Sequence, residues 1–156
     1  MDIFSQEDVL NKFGYVPKIV AVIPAKGTSS RVFSKNIRLL GGKPLFLHVM
    51  DTALSSNTLD EVYLDTESEE VAKLAETRNY HRIFRPIELA DNTTDGNKLL
   101  LFEASQIPFA DIYVQILPTA PFLSRETIDS AVYELIKNPN LQSLTAVLKQ
   151  KQYLWS

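Results

Sequence analysis

The order of apolar and amphipathic segments predicts an α/β fold: a mostly parallel sheet with helices on both faces. Three observations carry this. β-branched apolar runs alternate with helical stretches along the chain, the pattern of repeated βαβ units. Most of the helical stretches open on a capping side chain. A loop rich in cations, Gly and Ser leaves the first apolar run, and such sheets bind ligands beyond the carboxyl ends of their strands.

The elements follow in order. Ser5 caps a short helix, "QEDVLNKF", which Gly14 stops. "KIVAVIPA" (18–25) is the first strand, a buried apolar run. Pro44 opens "PLFLHVMDTALSS", where Leu45, Val49 and Ala53 recur at helical spacing and Pro takes the first position. "DEVYLDT" (60–66) is the second strand. Ser68 caps "EEVAKLAETR", a helix with acids in its first turn. "HRIFR" (81–85) is a short third strand, and "PIELADNTTDGN" a polar loop ending at Asp95, the N-cap of "KLLLFEAS". "DIYVQILPT" (111–119) is a fourth strand. Ser124 caps "RETIDSAVYELIKN", which Asn138 and Pro139 stop, and "SLTAVLKQ" (143–150) is a fifth strand.

At 156 residues the chain has the size of one domain, with enough apolar content (45%) to bury a core. It has no cysteine, so disulfides, thiolate metal sites and a cysteine nucleophile are excluded. "MDIFSQEDVL" lacks the basic and apolar regions of a signal peptide, and no apolar run reaches the length of a membrane span; a cytoplasmic protein is expected. The formal net charge is −3, yet Lys18 to Met50 carries six cations and no acid, which leaves ten cations against nineteen acids elsewhere. Charge segregated into one Gly- and Ser-rich segment points to a small anionic ligand rather than to nucleic acid, which favours a broader basic surface with aromatics.

The segment reads "IPAKGTSSRVFSKNIRLLGGKP" (23–44). Backbone N–H groups from Gly27 to Ser30 can form a nest for phosphate oxygens, with Lys26, Arg31 and Lys35 to neutralise them. Val32 stands where a Walker A loop needs Gly, and no G-x-G-x-x-G occurs. The plainer reading is a solvated basic connection. Gly41 and Gly42 turn the chain into the following helix.

"IPAKGTSSRVFSKNIRLLGGKPL" resembles the nucleotide-binding signature of the acylneuraminate (CMP-sialic acid) cytidylyltransferases, relatives of the CMP-Kdo synthetases. "VYLDTESEEVAKLA", "FRPIELADNTTD" and "QILPTAPFLSRETI" resemble three further family segments, in family order, between about Lys18 and Lys149. The resemblance implies a three-layer α/β/α nucleotidyltransferase domain of Rossmann-like type that lacks the family's C-terminal part. Residues 1–17 are then an N-terminal helical extension and 18–156 the nucleotide-binding domain. It implies cytidylyl transfer from CTP to a sialic-acid-like 2-keto sugar acid, with Mg²⁺ as cofactor and a homodimer as the assembly. Carried over by position, Lys35 and Arg31 are the catalytic cations. Lys26, Ser29, Asn36 and Arg85 bind the nucleotide, with the backbone of Ala25 and Gly27 near the base. Gln115 and Thr119 lie towards the sugar.

The chain departs from the family pattern at Lys26 (usually Arg), Ser30 (often Lys), Phe33 (Pro) and Leu117 (Gln). The family's metal-binding aspartates belong to the C-terminal part, so the metal ligands are unassigned. Asp65 and Glu67 are the nearest acids, but the resemblance does not make them ligands. Arg85 has a structural alternative, pairing with Glu88. Gln115 needs a partner on one sheet face if its strand is central. His48 and His81 read as structural. Two other functions compete: a non-catalytic nucleotide-binding or interaction module on the same scaffold, and a nucleotidyltransferase for another NTP or sugar.

Overall fold

The computed structural model describes residues 6–27, 34–91 and 94–147. In chain order the elements are α1 (Gln6–Phe13), β1 (Ile19–Pro24), a two-stranded hairpin β2 (Leu39–Leu40) and β3 (Lys43–Pro44), α2 (Leu45–Leu54), β4 (Glu61–Thr66), α3 (Glu69–Leu74), β5 (His81–Phe84), α4 (Gly96–Gln106), β6 (Ile112–Gln115) and α5 (Arg125–Lys137). The long strands form one parallel sheet in the order β5-β4-β1-β6. The chain builds outward from β1 to β5, then returns to add β6 on the other side of β1. In open α/β sheets such a reversal marks the carboxyl ends of the strands as the place where ligands bind.

Side chains alternate between the two sheet faces. Ala21, Ile23, Val62 and Leu64 point to one face, where Phe46 and Met50 of α2 and Val71 of α3 join them in the main core. Phe46 is fully buried, and burial of such a side chain contributes about 1.5–3 kcal/mol. Val20, Val22, Tyr63 and Ile83 point the other way, toward Phe102 of α4 and Ile107 just beyond it. A third cluster joins Val9 and Phe13 of α1 to Val132 and Ile136 of α5. The Lys12 ammonium fastens this joint by donating to the carbonyls of Leu135, Asn138 (3.1 Å) and Leu141 (2.7 Å). These lie at the carboxyl end of α5, where helical carbonyls lack partners and positive charge is favoured.

The local signals act as expected. Gly14 ends α1 at φ +72°, its N–H reaching the Leu10 carbonyl at 3.1 Å. Ser68, Asp95 and Ser124 each accept a hydrogen bond from a backbone N–H in the first turn of their helices. Gly41 and Gly42, both at positive φ, make the two-residue turn of the hairpin that delivers the chain to α2. The Ser5 cap lies outside the described residues. One expectation fails. Residues 143–147 form no strand; Val147 is 85% exposed, and the segment has no ladder partner. The remainder of that expected strand, 148–150, lies outside the described residues. β6 is an edge strand among those described, so Gln115 is not central.

Candidate functional site

The carboxyl end of β1 runs straight into Ala25, Lys26 and Gly27. Ala25 is fully buried and donates its N–H to the Asp65 carbonyl at 2.9 Å, which extends the β1–β4 pairing by one residue. Gly27 then crosses the start of α3. A Cβ at this position would meet the Ser68 Cβ at 2.6 Å, so only glycine passes here. Its N–H is taken by the Glu67 carboxylate at 2.8 Å. The loop returns through a 3-10 turn, Lys35–Ile37, which the buried Asn36 ties back by donating Nδ2–H to the Lys26 carbonyl at 2.8 Å. Lys26 reaches across to the Ala90 carbonyl at 3.3 Å, toward the loop after β5.

Lys26, Gly27, Lys35 and Asn36 are therefore gathered around one turn at the head of β1. Ser29 and Arg31 lie outside the described residues. Thr119 is exposed in the turn after β6. His48 donates its Nε2–H to the Leu40 carbonyl (2.9 Å), and His81 lies against the Tyr63 ring with centroids 5.0 Å apart; both are structural contacts away from the Ala25–Gly27 turn.

Arg85 does not pair with Glu88. Its side chain is 3% exposed and embraces the fully buried Asp65 carboxylate, with Nε at 3.1 and 3.0 Å from the two oxygens and Nη2 on the second oxygen and on the Asp65 carbonyl (3.3 Å). The parity of the strands explains the meeting. Asp65 follows Tyr63 by two positions, and Arg85 follows Ile83 by two, so both turn to the α4 face at the carboxyl end of the sheet.

Gln115 completes this layer from β6, and its partner is Glu103 of α4, reached by Nε2–H at 2.9 Å. Glu103 was not singled out from the sequence. It is fully buried, and it is the only buried side chain of α4. Its carboxyl is pushed up to about 8, first by burial, then by the neighbouring Asp65 carboxylate, against the opposing pull of Gln115 and Arg85. The signal existed: Leu99, Glu103 and Ile107 form one helical stripe, and an acid in the middle of an inward stripe requires a buried partner.

Among the described residues, no group of three or more His, Asp and Glu side chains stands ready to hold a metal ion. Of the two nearest acids, Asp65 is engaged by Arg85, and Glu67 accepts from the Gly27 amide through one oxygen while its Oε2 is buried without a partner among the described residues; a single carboxylate oxygen falls short of a ligand set. The described carboxylates do not fit a Mg²⁺ site, and no chemical step is routed through one. No described helix is long and apolar enough to cross a membrane.

A parallel sheet with a fastened, basic Gly-containing turn at the carboxyl end of an interior strand is the arrangement of a Rossmann-like α/β domain. Residues 20–154 match the cytidylyltransferase family, and the chain belongs to it. It is 38% identical over 120 residues to a CMP-N,N'-diacetyllegionaminic acid synthase of Legionella pneumophila, covering 74% of this chain and 52% of that protein. It is 30% identical over 115 residues to an N-acylneuraminate cytidylyltransferase of Escherichia coli, covering 74% of this chain and 27% of that one. The solved structure of a CMP:2-keto-3-deoxy-manno-octonic acid synthetase complexed with CTP matches with a TM-score of 0.69 at 25% identity, over 80% of this chain and 49% of that one. The chain spans about half the length of the Legionella relative and of that solved structure.

Proposed function

We propose that this chain is the CTP-binding portion of a cytidylyltransferase that activates a sialic-acid-like 2-keto sugar acid. In the reaction the anomeric hydroxyl of the sugar acid attacks the α-phosphorus of CTP. A new O–P bond forms, and the bond from the α-phosphorus to the bridging oxygen breaks. Pyrophosphate leaves with that electron pair, and the hydroxyl gives up its proton. The work assigned to this chain is electrostatic: cations fixed before the reaction begins meet the negative charge spread over the transferring phosphoryl group. Lys35 and Arg31 serve the transition state, while Lys26 and Ser29 hold phosphate oxygens. Asn36 and the backbone of Ala25 and Gly27 frame the nucleotide. Arg85 acts on the nucleotide side through the segment that it anchors. Gln115 and Thr119 border the sugar. The names of the relatives support a sugar acid as acceptor.

The observation that carries this reading is the bond from Asn36 Nδ2 to the Lys26 carbonyl, 2.8 Å long. It holds Lys26 and Lys35 around a single turn at the head of β1, where a triphosphate would lie. Calorimetric titration with CTP, and with UTP and ATP as controls, in buffer containing Mg²⁺, tests it. Selective CTP binding supports the reading, equal binding of all three nucleotides favours a different nucleotidyltransferase, and no binding overturns it. Pyrophosphate release with sialic, legionaminic and Kdo acids then tests turnover. Binding without release would favour a nucleotide-binding module.

A further inference from the structure

We propose that Glu103 and Asp65 share a proton across the contact between α4 and β4, and that this proton seats α4 on the sheet and holds the Ala25–Gly27 turn in place for the nucleotide. Both are positioning residues, and their link to the nucleotide rests on the proposed function. Four observations carry the inference. α4 buries one side chain among its eleven residues, and that side chain is a carboxylic acid. Asp65 and Glu103 are both fully buried and face each other. Gln115 satisfies Oε2 of Glu103, whereas Oε1 has no partner as long as it is counted only as an acceptor. A proton on Oε1 makes it a donor to Asp65 and removes the orphan. With Glu103 ionised, two buried carboxylates would instead face one guanidinium, an arrangement that raises the proton affinity of Glu103.

The groups facing Glu103 are few. β4 brings Asp65, the segment after β5 brings Arg85, and β6 brings Gln115. β1 contributes Val20, Val22 and Pro24 to this face and no titratable group, and Tyr63 and Tyr113 lie further toward the amino end of the sheet. Lys98, the one other titratable group on α4, is exposed. The path to the loop is short: the Asp65 carbonyl accepts both the Arg85 Nη2–H and the Ala25 N–H. Deprotonation of Glu103 therefore disturbs the residue that fixes the start of the basic turn.

Carbon-detected NMR of the full chain tests the proton directly. The Glu103 carboxyl carbon should titrate near pH 8, and a midpoint close to 4.5 overturns the proposal. The Ala25 and Gly27 amide resonances, recorded without nucleotide, should move with the same midpoint. In Glu103→Gln, whose amide also donates to Asp65, they should stay still over that range; movement unchanged in that variant overturns the link to the loop. CTP affinity of the wild type should fall at least tenfold between pH 7 and 9.5 and remain level in Glu103→Gln. If no CTP binds at any pH while the carbon and amide titrations hold, the functional reading fails and the shared proton stands.

Discussion

Gly27 rests directly on Ser68: a single added carbon would stand 2.6 Å from the Ser68 Cβ and 2.7 Å from its Oγ. That hydroxyl also caps α3 through the Val71 N–H at 3.3 Å, so neither side can yield without loss. Gly27→Ala should weaken CTP binding at least tenfold and cost about 1–3 kcal/mol of stability, the usual range for overpacking. Calorimetry and urea denaturation read the two effects. Ser68→Gly in the same chain removes the obstructing atoms and should restore most of the affinity; no recovery would mean that the contact is not the cause.

Asp65→Asn removes the counter-charge of a guanidinium that is almost entirely buried. Breaking one side of a buried pair leaves the other charge uncompensated, which costs about 3–5 kcal/mol. Denaturation midpoints at neutral pH should show a loss of that order. A change below about 1 kcal/mol would mean that Arg85 finds water instead.

Lys12→Met keeps the aliphatic stem and deletes the ammonium that three carbonyls around the end of α5 share. The expected loss is about 1–2 kcal/mol, since the bonds are charge-assisted but partly exposed to solvent. Hydrogen exchange at the end of α5 should quicken more than exchange at α2.

Stability should fall with rising pH in the neutral range. Burial holds the Glu103 carboxyl at about 8 in the folded protein, against 4.5 for an ordinary glutamate. Between those values the folded state keeps a proton that the unfolded chain has released. The contribution is therefore complete below about pH 4.5 and declines as pH rises toward 8. Melting temperatures of the wild type and Glu103→Gln at pH 5, 7 and 9 should diverge upward in favour of the variant. Parallel curves would contradict the assignment.

Lys35→Ala should abolish pyrophosphate release and weaken CTP binding, because the cation at the start of the Lys35–Ile37 turn would be gone. Wild-type affinity and rate in that variant would remove Lys35 from the proposed site.

What could be read from the sequence was local. Ser68, Asp95, Ser124 and Gly14 mark helix ends because each acts on backbone groups within four residues. β1 was legible as a β-branched apolar run, and β4 as the next strand in the alternation of strands and helices. The basic turn was legible through charge segregation and family resemblance. The Asp65–Arg85 pair was not, because it depends on two strands that end on the same face 20 positions apart. Glu103 was hidden in "KLLLFEAS", whose run of leucines obscures the inward stripe; Leu101 is 74% exposed. The strand expected over 143–150 failed in 143–147 for the converse reason: apolar propensity alone supplies no neighbour to pair with.

The central place of β1 also sets an order of events during synthesis. β1 leaves the ribosome before its flanking anchors: Ile19 N–H bonds to Asp60, 41 positions on, and Lys18 N–H to Asp111, 93 positions on. Until those segments emerge, "IVAVIP" is an unpaired apolar ribbon, the kind of nascent segment that chaperones shield. A sheet in which β1 pairs with β6, the last of the described long strands, is governed by long loop closure, and its refolding should be slow for its size. Stopped-flow refolding of the purified chain, with and without a holdase chaperone, would show how long that ribbon waits.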